Sequence, residues 1–104
     1  MSSNSEKAEG KVYIDKNNNL AIEGNISFSN VINVEKQGLN IIKVLPTIKI
    51  DLKKLNSSDS SGLALLSSWV RAAKQQNKTI SICNIPKFLS DLSRVSGLDT
   101  ILPT

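Results

Sequence analysis

Five residues able to hold a phosphate, a proton or a hydrogen bond stand together at Ser57-Ser58-Asp59-Ser60-Ser61, directly before Gly62-Leu63. A serine nucleophile needs a neighbouring base, and the chain contains no histidine, so only a lysine could serve. The glycine-rich phosphate loop G-x-x-x-x-G-K-[ST] is absent. Asp51 and Asp59 flank the segment, but Asp51, alone on the polar side of a strand, reads as a solvated or structural carboxylate. The single cysteine, Cys83, cannot form an internal disulfide, and without histidine it cannot build a zinc site. No cation stands beside it in a strand-like run, so it reads as a small buried hydrophobe rather than a redox thiol. These residues outline no catalytic constellation, no cofactor cradle and no metal site.

Two readings of the cluster remain. Asp59 and the serines can accept hydrogen bonds from the unpaired amides of a helix starting at Gly62, and the carboxylate suits the positive end of the helix dipole. One cap needs only one residue, however, and the cluster offers five. It also sits where a strand feeds a helix, the edge at which α/β sheets place their binding surfaces. A phosphate on a serine there would be stabilised by about 0.3–1 kcal/mol through the dipole, and would repel a packed partner. The second reading is therefore a docking surface or a phosphoacceptor.

The elements that position this cluster follow from the hydrophobic pattern. Residues 11–15 and 20–23 alternate around Val12, Ile14, Leu20 and Ile22, and the intervening Lys16-Asn17-Asn18-Asn19 predicts a hairpin turn. From Ser27 to about Lys43, Phe28, Val31, Ile32, Leu39 and Ile42 recur at helical spacing, with Gly38 as a weak point and Pro46 as a stop. Residues 47–52 alternate as a strand covered on one face. Gly62 to Gln76 predicts the strongest helix, with Leu63, Leu66, Trp69, Val70 and Ala73 inward and Ala64, Ser67, Ser68, Arg71, Lys74 and Gln75 mostly outward. Trp69 reads as core, with a partly exposed interface anchor as the alternative. Arg71 reads as a solvated charge, or as a contact to an acidic partner. Thr79–Ile85 is strand-like, and Pro86 opens a third helix with Phe88, Leu89, Leu92 and Val95 as its stripe and Gly97 as its cap. The tail 98–104 is expected to pack back on the domain. The order is β-β-α-β-α-β-α, and the strand–helix–strand unit around the cluster should make its two strands parallel.

At 104 residues the chain fits one α/β domain, residues 11–104, behind a lead of residues 1–10 that reads as disordered and has no apolar signal-peptide region. No apolar stretch approaches the roughly 20 residues needed to span a bilayer. The net charge of +4 invites a nucleic-acid partner, but the lysines are scattered and only one Trp, one Tyr and two Phe are present for stacking. Ordinary solvated lysines, or a mild attraction to an anionic surface, account for that charge. A cytoplasmic setting is the most economical reading.

The segment DLKKLNSSDSSGLALLSSWVRAAKQQNKTISICNI resembles the STAS domain family, in which a strand ending in D-L leads into a D-[ST]-x-G-L loop that opens a helix. The resemblance runs from Leu20-Ala21-Ile22-Glu23-Gly24 to Ile101-Leu102-Pro103. Through GLALL, AAKQQNKTISI and GLDTILP it is similar to the small STAS subunits of phospholipid ABC transporters. It implies a mixed sheet of four to five strands with helices mainly on one face, and a loop-plus-helix partner surface at Asp59, Ser60, Ser61, Gly62, Leu63, Ser67, Ser68 and Arg71. In that branch Ser60 is the docking hydroxyl, and the implied partner is a cytoplasmic ATPase held with a permease at the inner membrane. Ser61 matches the phosphorylated residue of anti-sigma factor antagonists, whose implied partner is an anti-sigma factor kinase. The family implies no catalysis of its own and no cofactor.

Overall fold

The computed structural model describes residues 10–96, in the order β1 (Lys11–Ile14), β2 (Leu20–Ile26), α1 (Val31–Val44), β3 (Thr47–Ser58), α2 (Ser61–Gln75), β4 (Thr79–Cys83) and α3 (Lys87–Ser96). The strands form one sheet in the order β1-β2-β3-β4. β1 and β2 are antiparallel, with Tyr13 opposite Ala21, as the hairpin pattern predicts. Asn18 takes the left-handed backbone at φ 63, and the Asp15 carboxylate accepts the amides of Asn17 and Asn19, which closes the turn. β3 pairs in parallel with β4, as the crossover rule requires, and also in parallel with β2 through α1.

Side-chain alternation assigns the two faces of the sheet. Leu20, Ile22 and Ile26 of β2, Ile48, Ile50, Leu52 and Leu55 of β3, and Ile80 and Ile82 of β4 join one buried cluster with Val34 and Ile42 of α1 and the α2 stripe. The opposite face carries Lys49, Asp51 and Cys83 and is at least partly open to solvent. β3 keeps its apolar side inward along 12 residues only because the β2–β3 register shifts twice. The first shift places Lys53 and Lys54 as consecutive exposed residues between buried Leu52 and Leu55. A pattern search sees a broken alternation at that point and ends the strand at residue 52. The strand in fact continues through Ser58, so Ser57 and Ser58 belong to β3 and pair with Asn25 and Ile26.

α1 departs most from the sequence pattern. It begins at Val31, because residues 27–30 form a separate turn in which the Asn30 side chain accepts the Ser27 amide and donates to the Asn25 carbonyl. Its buried positions are Val34, Gly38 and Ile42, four apart. Phe28 and Ile32, expected inward, are 71% and 63% exposed. Gly38 neither ends nor weakens the helix: it is where the Trp69 indole packs against α1, and a β-carbon there would collide with the ring. Trp69 is fully buried and its Nε1 donates to the Glu35 carbonyl at 3.2 Å, which rules out the alternative of an exposed anchor.

α2 matches its predicted stripe, with Leu65 added to the buried set. It ends in a Schellman turn: Asn77 is left-handed at φ 59, its amide donates to the Lys74 carbonyl, and the Lys78 amide donates to Ala73. The Lys78 ammonium then donates to the carbonyls of Ile42 and Lys43, placing a positive charge at the negative end of α1. β4 stops at Cys83 rather than Ile85, since Asn84 turns left-handed at φ 57. In α3 Leu89 is fully buried and Phe88 is 37% exposed. The side chains of Leu92 and Val95, the Gly97 cap, the 98–104 tail and residues 1–9 of the lead lie outside the described residues.

Candidate functional site

The loop between β3 and α2 is built around one carboxylate. Asp59 accepts the Ser61 amide at 2.8 Å and the Ser61 hydroxyl, and its carbonyl accepts the Gly62 amide at 3.0 Å. Ser60 occupies the capping position with helical backbone and makes no side-chain cap. The capping role divided in the sequence among Asp59 and several serines therefore falls to Asp59. The Ser61 hydroxyl holds the Asp59 carboxyl below its ordinary 3.8, outweighing a smaller upward push from burial, and the Ser61 and Phe28 amides act in the same direction.

Burial sorts the eight candidate residues into two tiers. Ser61 is only 4% exposed, and Leu63 is 2% exposed within the core. Gly62 is buried too, and a β-carbon there would collide with the Ser58 side chain and approach Leu89, so its small size serves the packing of β3 and α3 under the loop. These three hold the loop down. Ser60 and Arg71 are exposed, and Asp59, Ser67 and Ser68 are half-buried. Ser68 faces α1, where its hydroxyl donates to the Glu35 carboxylate. Ser67 and Arg71 line a shallow groove on the same helix together with Val70, Lys74 and Gln75.

The fold adds two residues to this corner. The Asp59 amide donates to the Ile26 carbonyl at 3.4 Å, tying the loop before α2 to the loop before α1. The Phe28 amide also acts on the Asp59 carboxylate, so the turn that carries exposed Phe28 adjoins this loop, and Ile32 is exposed in the first turn of α1 that follows. Helical spacing alone groups both residues with Val31, Leu39 and Ile42. The overlooked signal is angular: Ile32 lies about 160° around the helix from Val34, off the four-residue repeat that carries the buried face. Exposed large hydrophobics beside a polar rim mark contact surfaces.

Two other candidates resolve as structural. Burial and the Asp51 charge push the Cys83 thiol up, so it is not an activated nucleophile. At Asp51, desolvation is outweighed by the Asn84 side-chain hydrogen bond, the Lys53 amide and the charges of Lys53 and Lys49, and the carboxyl stays below its ordinary value. Among the described residues no group of three or more metal-binding side chains converges, and no helix is long and apolar enough to cross a membrane.

Comparison with known proteins decides the family. A family model described as Mlab, STAS domain, matches residues 14–103. The chain belongs to the STAS domain family. Among solved structures, this STAS domain is similar to a chain of the Acinetobacter MlaFEDB complex in its ATP-bound Vtrans2 conformation, with 26% identity and a TM-score of 0.75 over 88% of this chain and 96% of that one. It also shares the fold of the anti-sigma factor antagonist SpoIIAA in its unphosphorylated form, at 17% identity and a TM-score of 0.68, over 90% of this chain and 85% of that one. The phosphorylated form from Bacillus matches at 17% identity and a TM-score of 0.66, over 90% and 88%. No curated protein sequence matches the chain. The β-β-α-β-α-β-α order and the mixed four-stranded sheet are those the family resemblance implies.

Proposed function

We propose that this STAS domain, residues 11–104, is a non-catalytic subunit that docks on the cytoplasmic ATPase of an Mla-type ABC transporter and supports phospholipid transport between membranes. It would lie at the cytoplasmic side of the inner membrane, held there through the ATPase and its permease. The observation that carries this reading is the match to a chain of MlaFEDB, which spans nearly the whole of both chains at 26% identity. The family model described as Mlab supports the same branch.

The docking surface in this proposal is the corner formed by Ser60, the half-buried Asp59, the outer side of α2 at Ser67 and Arg71, Ser68 at the seam with α1, and the apolar residues Phe28 and Ile32. Ser61, Gly62 and Leu63 act beneath it by fixing the loop. An apolar patch next to hydroxyls and a cation suits a partner helix or loop of mixed character, in which a few buried anchors supply most of the binding energy.

The alternative, an anti-sigma factor antagonist switched by phosphorylation at Ser61, has weaker support. The relatives that suggest it are 17% identical and share the fold alone. The Ser61 hydroxyl is also buried and committed to Asp59, so a kinase would reach it only after the first turn of α2 opened. Affinity purification of the tagged chain from its own cells tests the two together. An ATPase with a permease is the expected result; a protein kinase with a sigma factor would replace the proposal by the alternative.

A further inference from the structure

The sheet face opposite the helices carries a cleft of about 460 Å³ on which the docking proposal makes no demand. Its size falls within the roughly 300–1,000 Å³ usual for small-molecule sites. Its floor is the row Tyr13–Ala21–Asp51, three cross-strand partners in register, where the small Ala21 between two larger side chains leaves the depression. One wall is the β1–β2 turn with Asp15 and Lys16, and the other is the β3 bulge, which turns Lys53 and Lys54 out together.

The charges of this lining are mixed in a defined way. Lys16, Lys53 and Lys54 bring three ammonium groups, none of them in an ion pair or side-chain hydrogen bond among the described residues. Asp15 and Asp51 bring two carboxylates, each held in place through Oδ1: Asp15 by the Asn17 and Asn19 amides, Asp51 by Asn84 and the Lys53 amide. The Tyr13 hydroxyl is turned to Glu23 at 3.1 Å, leaving its ring to the cleft. A simple anion would meet two fixed carboxylates here, and a simple cation would meet three ammoniums. A ligand carrying both charges satisfies both sets, and a phosphate, with several acceptor oxygens, suits three ammonium donors better than a carboxylate does.

We infer that the open-face cleft binds a small zwitterion bearing a phosphate and a protonated amine, with Lys16, Lys53 and Lys54 on the phosphate and Asp15 and Asp51 on the amine. The same chemistry occurs free as phosphoethanolamine and anchored as the headgroup of phosphatidylethanolamine. The inference stands apart from the docking proposal, because its residues lie on the uncovered face of the sheet and not at the β3–α2 corner.

Titration of the isotopically labelled full chain with phosphoethanolamine, followed by amide NMR, tests it. Expected are shifts concentrated at Tyr13, Lys16, Lys53 and Lys54, and binding weakened about tenfold or more in Lys53→Gln/Lys54→Gln, whose exposed positions leave the fold intact. Glycerol 3-phosphate, which lacks the amine, and ethanolamine, which lacks the phosphate, should each bind several-fold more weakly. Co-sedimentation with vesicles of phosphatidylcholine, with and without phosphatidylethanolamine, separates the sources: retention that needs phosphatidylethanolamine and the two lysines assigns the anchored headgroup, and its absence assigns the free compound. Equal binding of glycerol 3-phosphate, shifts spread evenly over lysines elsewhere such as Lys36 and Lys74, or no shift at millimolar phosphoethanolamine would each overturn the inference.

Discussion

The two helices that carry the candidate surface are built on opposite principles. α2 is anchored along its length: Leu63, Leu65, Leu66, Trp69, Val70 and Ala73 are all buried, and a carboxylate pins its first turn. α1 buries only Val34, Gly38 and Ile42, and leaves Ile32 and Val44 more than 60% exposed. It is held through its neighbour, by the Trp69 indole against Gly38, the Ser68–Glu35 hydrogen bond and the Lys78 clamp on its last carbonyls. A helix that depends on another for its seat can spend its own apolar residues on the surface. In the docking proposal α2 therefore stabilises the corner, while α1 and the turn before it contribute its exposed apolar surface.

Filling the seam between the helices should have the largest effect. Gly38→Ala raises helix propensity by about 1 kcal/mol, but its methyl group would overlap the indole, and displacing the ring should cost about 1–3 kcal/mol beyond that gain. A lowered urea midpoint is expected, and an unchanged or higher midpoint would show that the seam is looser than described. Replacing Phe28 and Ile32 together with glutamate should do the reverse: melting close to the parent chain, with ATPase binding reduced tenfold or more. Loss of folding in that double variant would mean that α1 needs its outer apolar residues after all.

Asp59→Ala removes the cap and should cost about 1 kcal/mol. Its pH dependence follows from the lowered carboxyl. A carboxyl whose pKa falls on folding stabilises the fold above its unfolded value, and that contribution is lost as pH drops through the folded value. The stability gap between parent and Asp59→Ala should therefore stay constant from pH 7 to about 5 and close below the ordinary 3.8. A gap that closes near neutral pH would point to another group. Ser68→Ala should give the smallest change, about 0.5 kcal/mol, since the Glu35 carboxylate it leaves is only half-buried.

The same contrast explains what could be read in advance. α2 announces itself because Leu63, Leu66, Trp69, Val70 and Ala73 fall on one stripe and the loop before it has a family signature. Ile48, Ile50 and Leu52 reveal β3, but its second half is hidden by bulges that no alternation rule anticipates, so Ser57 and Ser58 read as loop although they belong to the strand. In α1 the periodicity misleads. Phe28 belongs to a turn knitted by the Asn30 side chain, and Gly38 looks like a breaker until the ring it accommodates is known. Which cluster residue caps the helix is likewise a matter of tertiary geometry. Asp59 and all four serines carry capping-competent oxygens, and only the path of the loop past Ile26 selects the carboxylate.

The central claim is that the exposed hydroxyl of Ser60, and not the buried one of Ser61, meets the partner. Quantitative co-purification of the transporter ATPase with Ser60→Glu, beside the parent chain and with both melting curves recorded, tests it most directly. The account predicts an unchanged melting curve and an ATPase yield reduced tenfold or more. Full recovery of the ATPase with the folded Ser60→Glu variant would contradict it.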